Sequence, residues 1–133
     1  MSDVIIDTNV VIWYFTLPTL PSAAGQEAIS EAFSSGTIFV SAISIVELIY
    51  LVEKGRIPSD VLTSLNTALD DPSSAMQLFG LDREVSDRVA EIPRTIVPDM
   101  PDRIIAATAL HLGLSLITID SEIRKLTNIK SIW

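Results

Sequence analysis

Short apolar runs alternate along the chain with longer segments in which apolar residues recur every three or four positions. The runs are rich in β-branched residues and predict five strands, at residues 4–6, 37–40, 76–81, 114–119 and 129–132. The longer segments, with their capping residues, predict seven helices, at residues 8–15, 22–36, 41–53, 59–69, 82–92, 102–113 and 122–126. Alternating strands and helices predict a parallel sheet with right-handed crossovers.

This pattern predicts an α/β fold in a single domain over residues 1–133. The domain would have three layers, with a central parallel sheet of four to five strands flanked by helices. A hydrophobic fraction of 48% fits such a sheet, because strands that are covered on both faces read as continuous apolar runs. Two proline-rich segments, at residues 16–21 and 93–101, are predicted loops.

The formal net charge of −8 argues against broad electrostatic capture of nucleic acid, which normally uses a basic face. Two interpretations stay open. The acids form a pocket whose charge is offset by metal ions or by a basic partner, or the acidity simply keeps the protein soluble.

The chain has no cysteine, which excludes disulfides and thiolate zinc sites and predicts a reducing, cytoplasmic location. No apolar stretch reaches the roughly 18 residues that a membrane span needs, and the N-terminus lacks the pattern of a signal peptide. We therefore expect no association with a membrane.

Two carboxylates follow apolar strands directly. Asp7 ends the first strand and Asp120 the fourth, so both are expected at the carboxyl edge of the sheet, where ligands of open α/β sheets bind. Thr118 lies two residues before Asp120 and is expected on the same face, where its hydroxyl would bind water or orient a carboxylate. Asp7 alone is better explained as a helix cap, and one aspartate at the end of a strand is ordinary, whereas two at one edge suggest a site.

Glu47 lies within the apolar helix 41–53. An ionised glutamate is costly on a helix that is packed over most of its surface, unless the carboxylate is paired or binds a metal. The alternative is that Glu47 lies on the one strip of the helix that faces solvent, together with Ser44 and Tyr50.

Asp102 follows Pro101 and is predicted to begin and cap a helix rich in alanine, which would allow that helix to approach the sheet closely. Arg103 would pair with a neighbouring acid or reach a phosphate, or else form an ordinary surface ion pair. Asp99 is a weaker candidate for a supporting role at the same site.

Other catalytic chemistries have little support in the sequence. Without cysteine, and with the single histidine His111 late in a helix, nucleophilic triads are poorly supported. There is no glycine-rich phosphate loop. Carboxylates alone bind hard cations such as Mg²⁺ or Mn²⁺, which also engage phosphate oxygens.

Four stretches in this order resemble the PIN-domain ribonucleases, especially the VapC-type toxins of toxin–antitoxin pairs. They are Asp7-Thr8-Asn9, residues 41–48, residues 99–106 and residues 113–120. The resemblance implies a PIN-like fold and a Mg²⁺-dependent endoribonuclease, with Mn²⁺ as a substitute. It implies that the metal and catalytic residues are Asp7, Glu47, Asp102 and Asp120, with Thr8, Thr118 and Ser121 close to the site.

The resemblance also implies partners: an RNA substrate, a small antitoxin whose basic side chain reaches the acids, and a second copy in a homodimer. Met100, between Asp99 and Pro101, departs from the family pattern and bears on substrate contacts more than on chemistry. Two alternatives stay open. One is a catalytically silent PIN-like binding module. The other is a different Mg²⁺-dependent phosphohydrolase, which would need a lysine beside a nucleophilic aspartate.

Overall fold

A computed structural model describes residues 2–17 and 22–133 of the chain. Its centre is a five-stranded sheet in the order β3-β2-β1-β4-β5, in which every neighbouring pair is parallel. The strands are β1 (Val4–Ile6), β2 (Ile38–Ser41), β3 (Met76–Phe79), β4 (Ser115–Ile117) and β5 (Ser131–Ile132). The predicted α/β fold with a parallel sheet of four to five strands is confirmed.

Helices cover both faces of the sheet. They are α1 (Thr8–Thr16), α2 (Ala23–Ser35), α3 (Ala42–Glu53), α4 (Ser59–Asp70), α5 (Arg83–Arg88) and α6 (Met100–Leu112), with 3₁₀ helices at Val89–Glu91 and Ile123–Lys125. Val4 and Ile6 pack into one apolar cluster with α1 to α4, and Ile5 packs into a second with α5 and α6. This alternation produces the three layers, because successive residues of a strand point to opposite faces.

The strand register places the ends of three strands side by side. Ile6 of β1 lies opposite Val40 of β2 and Ile117 of β4. The next residue of each strand is therefore at the same level of the carboxyl edge, which brings Asp7 next to Thr118. The backbone N–H of Asp7 donates to the carbonyl of Ile117 at 3.2 Å and extends this pairing by one residue.

The predicted helix caps are mostly correct. Ser22, Ser41 and Asp82 each accept a hydrogen bond from a backbone N–H in the first turn of the helix that follows. Gly113 ends α6 in the left-handed conformation, with a φ of 66°, which glycine adopts without strain.

Two predicted boundaries next to the acids are wrong. The helix predicted to begin at Asp102 begins at Met100, and Asp99 is its cap. Pro101 is tolerated there because a backbone N–H in the first turn of a helix has no acceptor within the helix, so the N–H that proline lacks is not needed. The fourth strand ends at Ile117, not Ile119, so Asp120 lies three residues beyond it.

Other predicted elements are shorter in the structure or of a different type. The third strand ends at Phe79, the last strand is confined to Ser131–Ile132, and residues 122–126 form a 3₁₀ turn instead of a helix. The predicted loop at 16–21 lies mostly outside the described residues. Over the two described ranges, none of the helices has the length and apolar character that a membrane crossing would require.

Candidate metal centre

Asp7 is held rigidly at the start of α1. Its Oδ1 accepts the backbone N–H of Val10 at 2.9 Å, and its Oδ2 accepts the hydroxyl of Thr118. The residue is only 4% exposed. The pKa of Asp7 is raised to about 6, chiefly by burial. The two hydrogen bonds lower this pKa, and the charges of Asp120 and Glu47 raise it. Capping and membership of an acidic site are therefore both true of Asp7.

Asp120 is connected to Asp7 through one shared hydroxyl. The fully buried Thr118 oxygen accepts the backbone N–H of Asp120 at 3.0 Å while it donates to Asp7. Asp120 in turn caps the 3₁₀ helix, because its Oδ1 accepts the N–H groups of Glu122 and Ile123 at 2.8 and 2.9 Å. The predicted orienting role of the Thr118 hydroxyl is thus present, and the carboxylate it orients is that of Asp7.

Glu47 reaches the same edge from α3. The hydroxyl of Thr8 donates to its Oε1 at 2.5 Å, and the hydroxyl of Ser44 lies 2.9 Å from that of Thr8. The pKa of Glu47 is raised, first by burial and also by the charge of Asp99, while the bond from Thr8 lowers it.

The surroundings of Glu47 differ from both predicted arrangements. Helix α3 is not packed over most of its surface, since Val46, Ile49 and Tyr50 are 55%, 39% and 61% exposed. Ser44, which was predicted to share a solvent-facing strip with Glu47, is fully buried. The carboxylate of Glu47 is therefore partly buried, with one oxygen bonded to the Thr8 hydroxyl, and Ser44 lies beyond Thr8.

Asp102 lies in the first turn of α6 and is half-buried. Its backbone N–H donates to Oδ2 of Asp99 at 3.1 Å. Burial and then the charge of Asp99 raise the pKa of Asp102 to about 8, with smaller contributions from Asp120, Glu47 and Asp7. The other three predicted acids, together with Asp99, are thus close enough to Asp102 to raise its pKa.

None of the basic side chains in the described ranges forms an ion pair with these acids. The ion pairs of the described residues join Arg83 to Asp87, Arg88 to Glu91 and His111 to Glu84, all away from the four acids. Burial of several carboxylates without a counter-charge is costly, and a bound cation would remove that cost.

The donor set also has the right chemistry, because carboxylate oxygens are the ligands that Mg²⁺ and Mn²⁺ prefer. Within residues 2–17 and 22–133, however, no three histidine, aspartate or glutamate side chains already converge as a complete metal-binding group. The residues therefore fit a hard cation by charge and donor type. Mutual repulsion is the physical reason for carboxylates to stand apart when no cation lies between them.

The other predicted supporting residues have separate environments. The guanidinium of Arg103 donates to the carbonyls of Ile92 and Val89, both at 3.0 Å, so it joins α6 to the preceding 3₁₀ helix and contacts no acid. Ser121 is exposed in the turn after Asp120. Ser44 was not predicted as a site residue. The signal for it was its position three residues before Glu47 in an otherwise apolar helix.

Comparison with known proteins adds the family context. Residues 4–129 match the model of the PIN domain. The chain is 30% identical to ribonuclease VapC22 of Mycobacterium tuberculosis over 124 aligned residues. The alignment covers 93% of this chain and 92% of that protein.

Solved structures share the fold. A chain of the VapBC2 structure from Rickettsia felis, bound to a promoter DNA fragment, superposes with a TM-score of 0.73 at 16% identity, over 98% of this chain and 97% of that one. A chain of the DNA-bound VapBC structure from Salmonella typhimurium superposes with a TM-score of 0.69 at 24% identity, over 99% of this chain and 98% of that one. A toxin–antitoxin complex from Klebsiella pneumoniae gives 0.63 at 19% identity, over 95% and 94%.

Proposed function

The chain belongs to the PIN-domain family, among its VapC-type ribonucleases, and we propose that it hydrolyses RNA phosphodiester bonds as the toxin of a type II toxin–antitoxin pair. Asp7, Glu47, Asp102 and Asp120 would hold Mg²⁺, or Mn²⁺ in its place. The observation that carries the proposal is the arrangement of these acids at one edge of the sheet: Thr118 joins Asp7 to Asp120, and Thr8 donates to Glu47. None of the basic side chains that the structure describes forms an ion pair with the four acids.

Each acid has a distinct part in this proposal. When bound, Mg²⁺ supplies positive charge that lowers the pKa of the attacking water and offsets the charge that builds on the phosphate. Asp7 and Asp102 would be the main ligands, and Glu47 and Asp120 would complete the site, directly or through waters. Glu47 would accept a proton from the attacking water at Oε2, since Thr8 donates to Oε1 and burial raises the pKa of Glu47 in the direction that suits a general base.

We also propose a small antitoxin as partner, as in the similar toxin–antitoxin complex from Klebsiella pneumoniae. Apolar side chains are exposed close to the acids in sequence, with Val46 and Tyr50 flanking Glu47 and Met100, 64% exposed, between Asp99 and Asp102. A partner with apolar side chains and one basic group would cover these residues and neutralise the acids. We propose a cytoplasmic location, where the proposed RNA substrate would be encountered. A homodimer stays a prediction, which light scattering tests.

The test is RNA cleavage by purified protein, freed of any partner, with and without Mg²⁺. Cleavage should require the metal. Asp102→Asn should lower the rate on the order of 10²-fold or more, because a ligand is lost, with an unchanged circular-dichroism spectrum. The matched control is Asp87→Asn, which makes the same change at an exposed aspartate that pairs only with Arg83. Undiminished cleavage by a folded Asp102→Asn protein would contradict the proposed site.

A further inference from the structure

The hydroxyls of Ser44 and Thr8 form two consecutive hydrogen bonds that end at Glu47, and the donor of each bond can be identified. The hydroxyl of Thr8 has one hydrogen, and an ionised carboxylate only accepts, so that hydrogen is used in the 2.5 Å bond to Oε1 of Glu47. The hydroxyl of Ser44, 2.9 Å from that of Thr8, must then be the donor of the second bond. The order Ser44 to Thr8 to Glu47 follows from counting hydrogens.

This arrangement is inside the protein. Ser44 is fully buried and Thr8 is 7% exposed, so water does not compete for either hydroxyl. Ser44 and Glu47 are three residues apart on α3 and lie on the same side of the helix. Thr8 belongs to α1, and the two bonds therefore join the helix that carries Glu47 to the helix that Asp7 begins.

Ser44 does not use its hydroxyl as a buried helical hydroxyl usually does. Such a group commonly donates to the carbonyl four residues earlier, and Thr108 in α6 does so, to Ile104 at 2.8 Å. The single hydrogen of Ser44 is directed across to another helix instead. Because Ser44 is only the third residue of α3, the carbonyl four residues before it belongs to Val40 of strand β2, and the bond to Thr8 satisfies the Ser44 hydroxyl instead.

We propose that Ser44 is a positioning residue for the metal site: through Thr8 it fixes the carboxylate of Glu47. The inference rests on the metal site proposed above. With Ser44 present, the Thr8 hydroxyl has one stable orientation, Oε1 of Glu47 is fixed, and Oε2 has no donor within the described part of the chain. Without Ser44, Thr8 loses a donor, its hydroxyl is free to turn, and the Glu47 side chain regains rotamer freedom that metal binding must then remove.

The test is Mn²⁺ binding to the metal-free protein, measured by isothermal titration calorimetry, which needs no RNA. Ser44→Ala should raise the Kd about tenfold, at the lower end of what outer residues of metal sites contribute. Ser44→Thr, which keeps the hydroxyl, should bind nearly as wild type does. The double variant Ser44→Ala with Thr8→Val should bind no more weakly than Thr8→Val alone, since Ser44 acts through Thr8.

Thr108→Val is the matched control, because it removes a buried hydroxyl that contacts only its own helix. It should lower the melting temperature without changing the Kd. Equal Kd values for Ser44→Ala and wild type would overturn the proposal, as would additive effects in the double variant or an equal loss in Thr108→Val. If Ser44→Ala folds poorly, Ser44→Cys keeps the size with a weaker donor, and its Kd must then exceed that of wild type. Failure of the wild type itself to bind Mn²⁺ would instead refute the metal site.

Discussion

Asp7 and Asp102 are the two acids whose pKa values are raised most, and their surroundings are opposite in kind. Asp7 is almost completely buried, and both of its oxygens accept a hydrogen bond. Asp102 is only half-buried, and its carboxylate receives no hydrogen bond within the described residues. Yet the pKa of Asp102 rises to about 8 and that of Asp7 only to about 6.

Burial is the largest cause of the raised pKa of both residues, and the difference between them comes from their neighbours. Two donors stabilise the charge of Asp7 and offset part of its desolvation, whereas the charged neighbours of Asp102 are acids. Asp7 is therefore fixed by the protein itself. Asp102 is left with a charge that only a cation, or a proton, can stabilise.

The largest expected effect that separates the two is on cleavage by Asp7→Asn. The amide keeps the shape and can still accept the Val10 N–H, but it loses the negative charge. We expect the cleavage rate to fall on the order of 10²-fold or more, while the free energy of unfolding changes by about 1 kcal/mol. Rate assays beside urea unfolding measure both. A loss of stability as complete as the loss of cleavage would mean that Asp7 is chiefly structural.

Thr118→Val breaks the feature that distinguishes Asp7. The variant keeps the shape of the side chain but removes the donor to Asp7 and the acceptor for the Asp120 N–H. Because a buried carboxylate and an amide both lose a partner, we expect a loss of about 1–3 kcal/mol in urea unfolding. The pKa of Asp7 should rise toward that of Asp102. Unchanged stability would show that the shared hydroxyl contributes little.

The smallest effect is on the pH dependence of stability without metal. Both carboxyls hold a proton more tightly in the folded protein than at their ordinary pKa of 3.8. Their contribution is therefore most favourable below pH 4 and is lost as pH rises through about 6 for Asp7 and about 8 for Asp102. Melting temperatures should fall over this range, and Mg²⁺ should reverse the fall.

Two variants show which of the two carboxyls causes which part of the fall in melting temperature. Asp7→Asn should reduce the fall in melting temperature only between about pH 4 and 6, whereas Asp102→Asn should also remove the fall between about pH 6 and 8. A melting temperature that rises steadily from pH 5 to pH 9 in the metal-free wild type would contradict the directions of both shifts.

The same two residues show what the sequence could and could not predict. The cap at Asp7 was predictable, because a β-branched strand ends on it and a helix begins at once. The cap of α6 was assigned to Asp102 instead of Asp99, although a proline in the first turn is a sign that the cap precedes it. The fourth strand was extended too far because Ile119 continues its apolar pattern, while the Thr118 hydroxyl turns the chain toward Asp120.

Site geometry was less accessible than strand order. The four acids were found from their positions after strands and in an apolar helix, and the resemblance grouped them. That Ser44 is buried and donates to Thr8 depends on how α1 lies against α3, which no local pattern of residues encodes.

The alanines of α6 affect the position of Asp102 relative to Asp7. Ala106, Ala107 and Ala109 are at most 1% exposed in the apolar cluster beneath α6, which also contains Ile105, and these small side chains allow the helix to lie close to the sheet. Asp102 is carried by the first turn of that helix, whereas Asp7 is anchored to β1. The separation of the two carboxylates is thus a dimension of the hydrophobic core, determined by residues that contact neither of them.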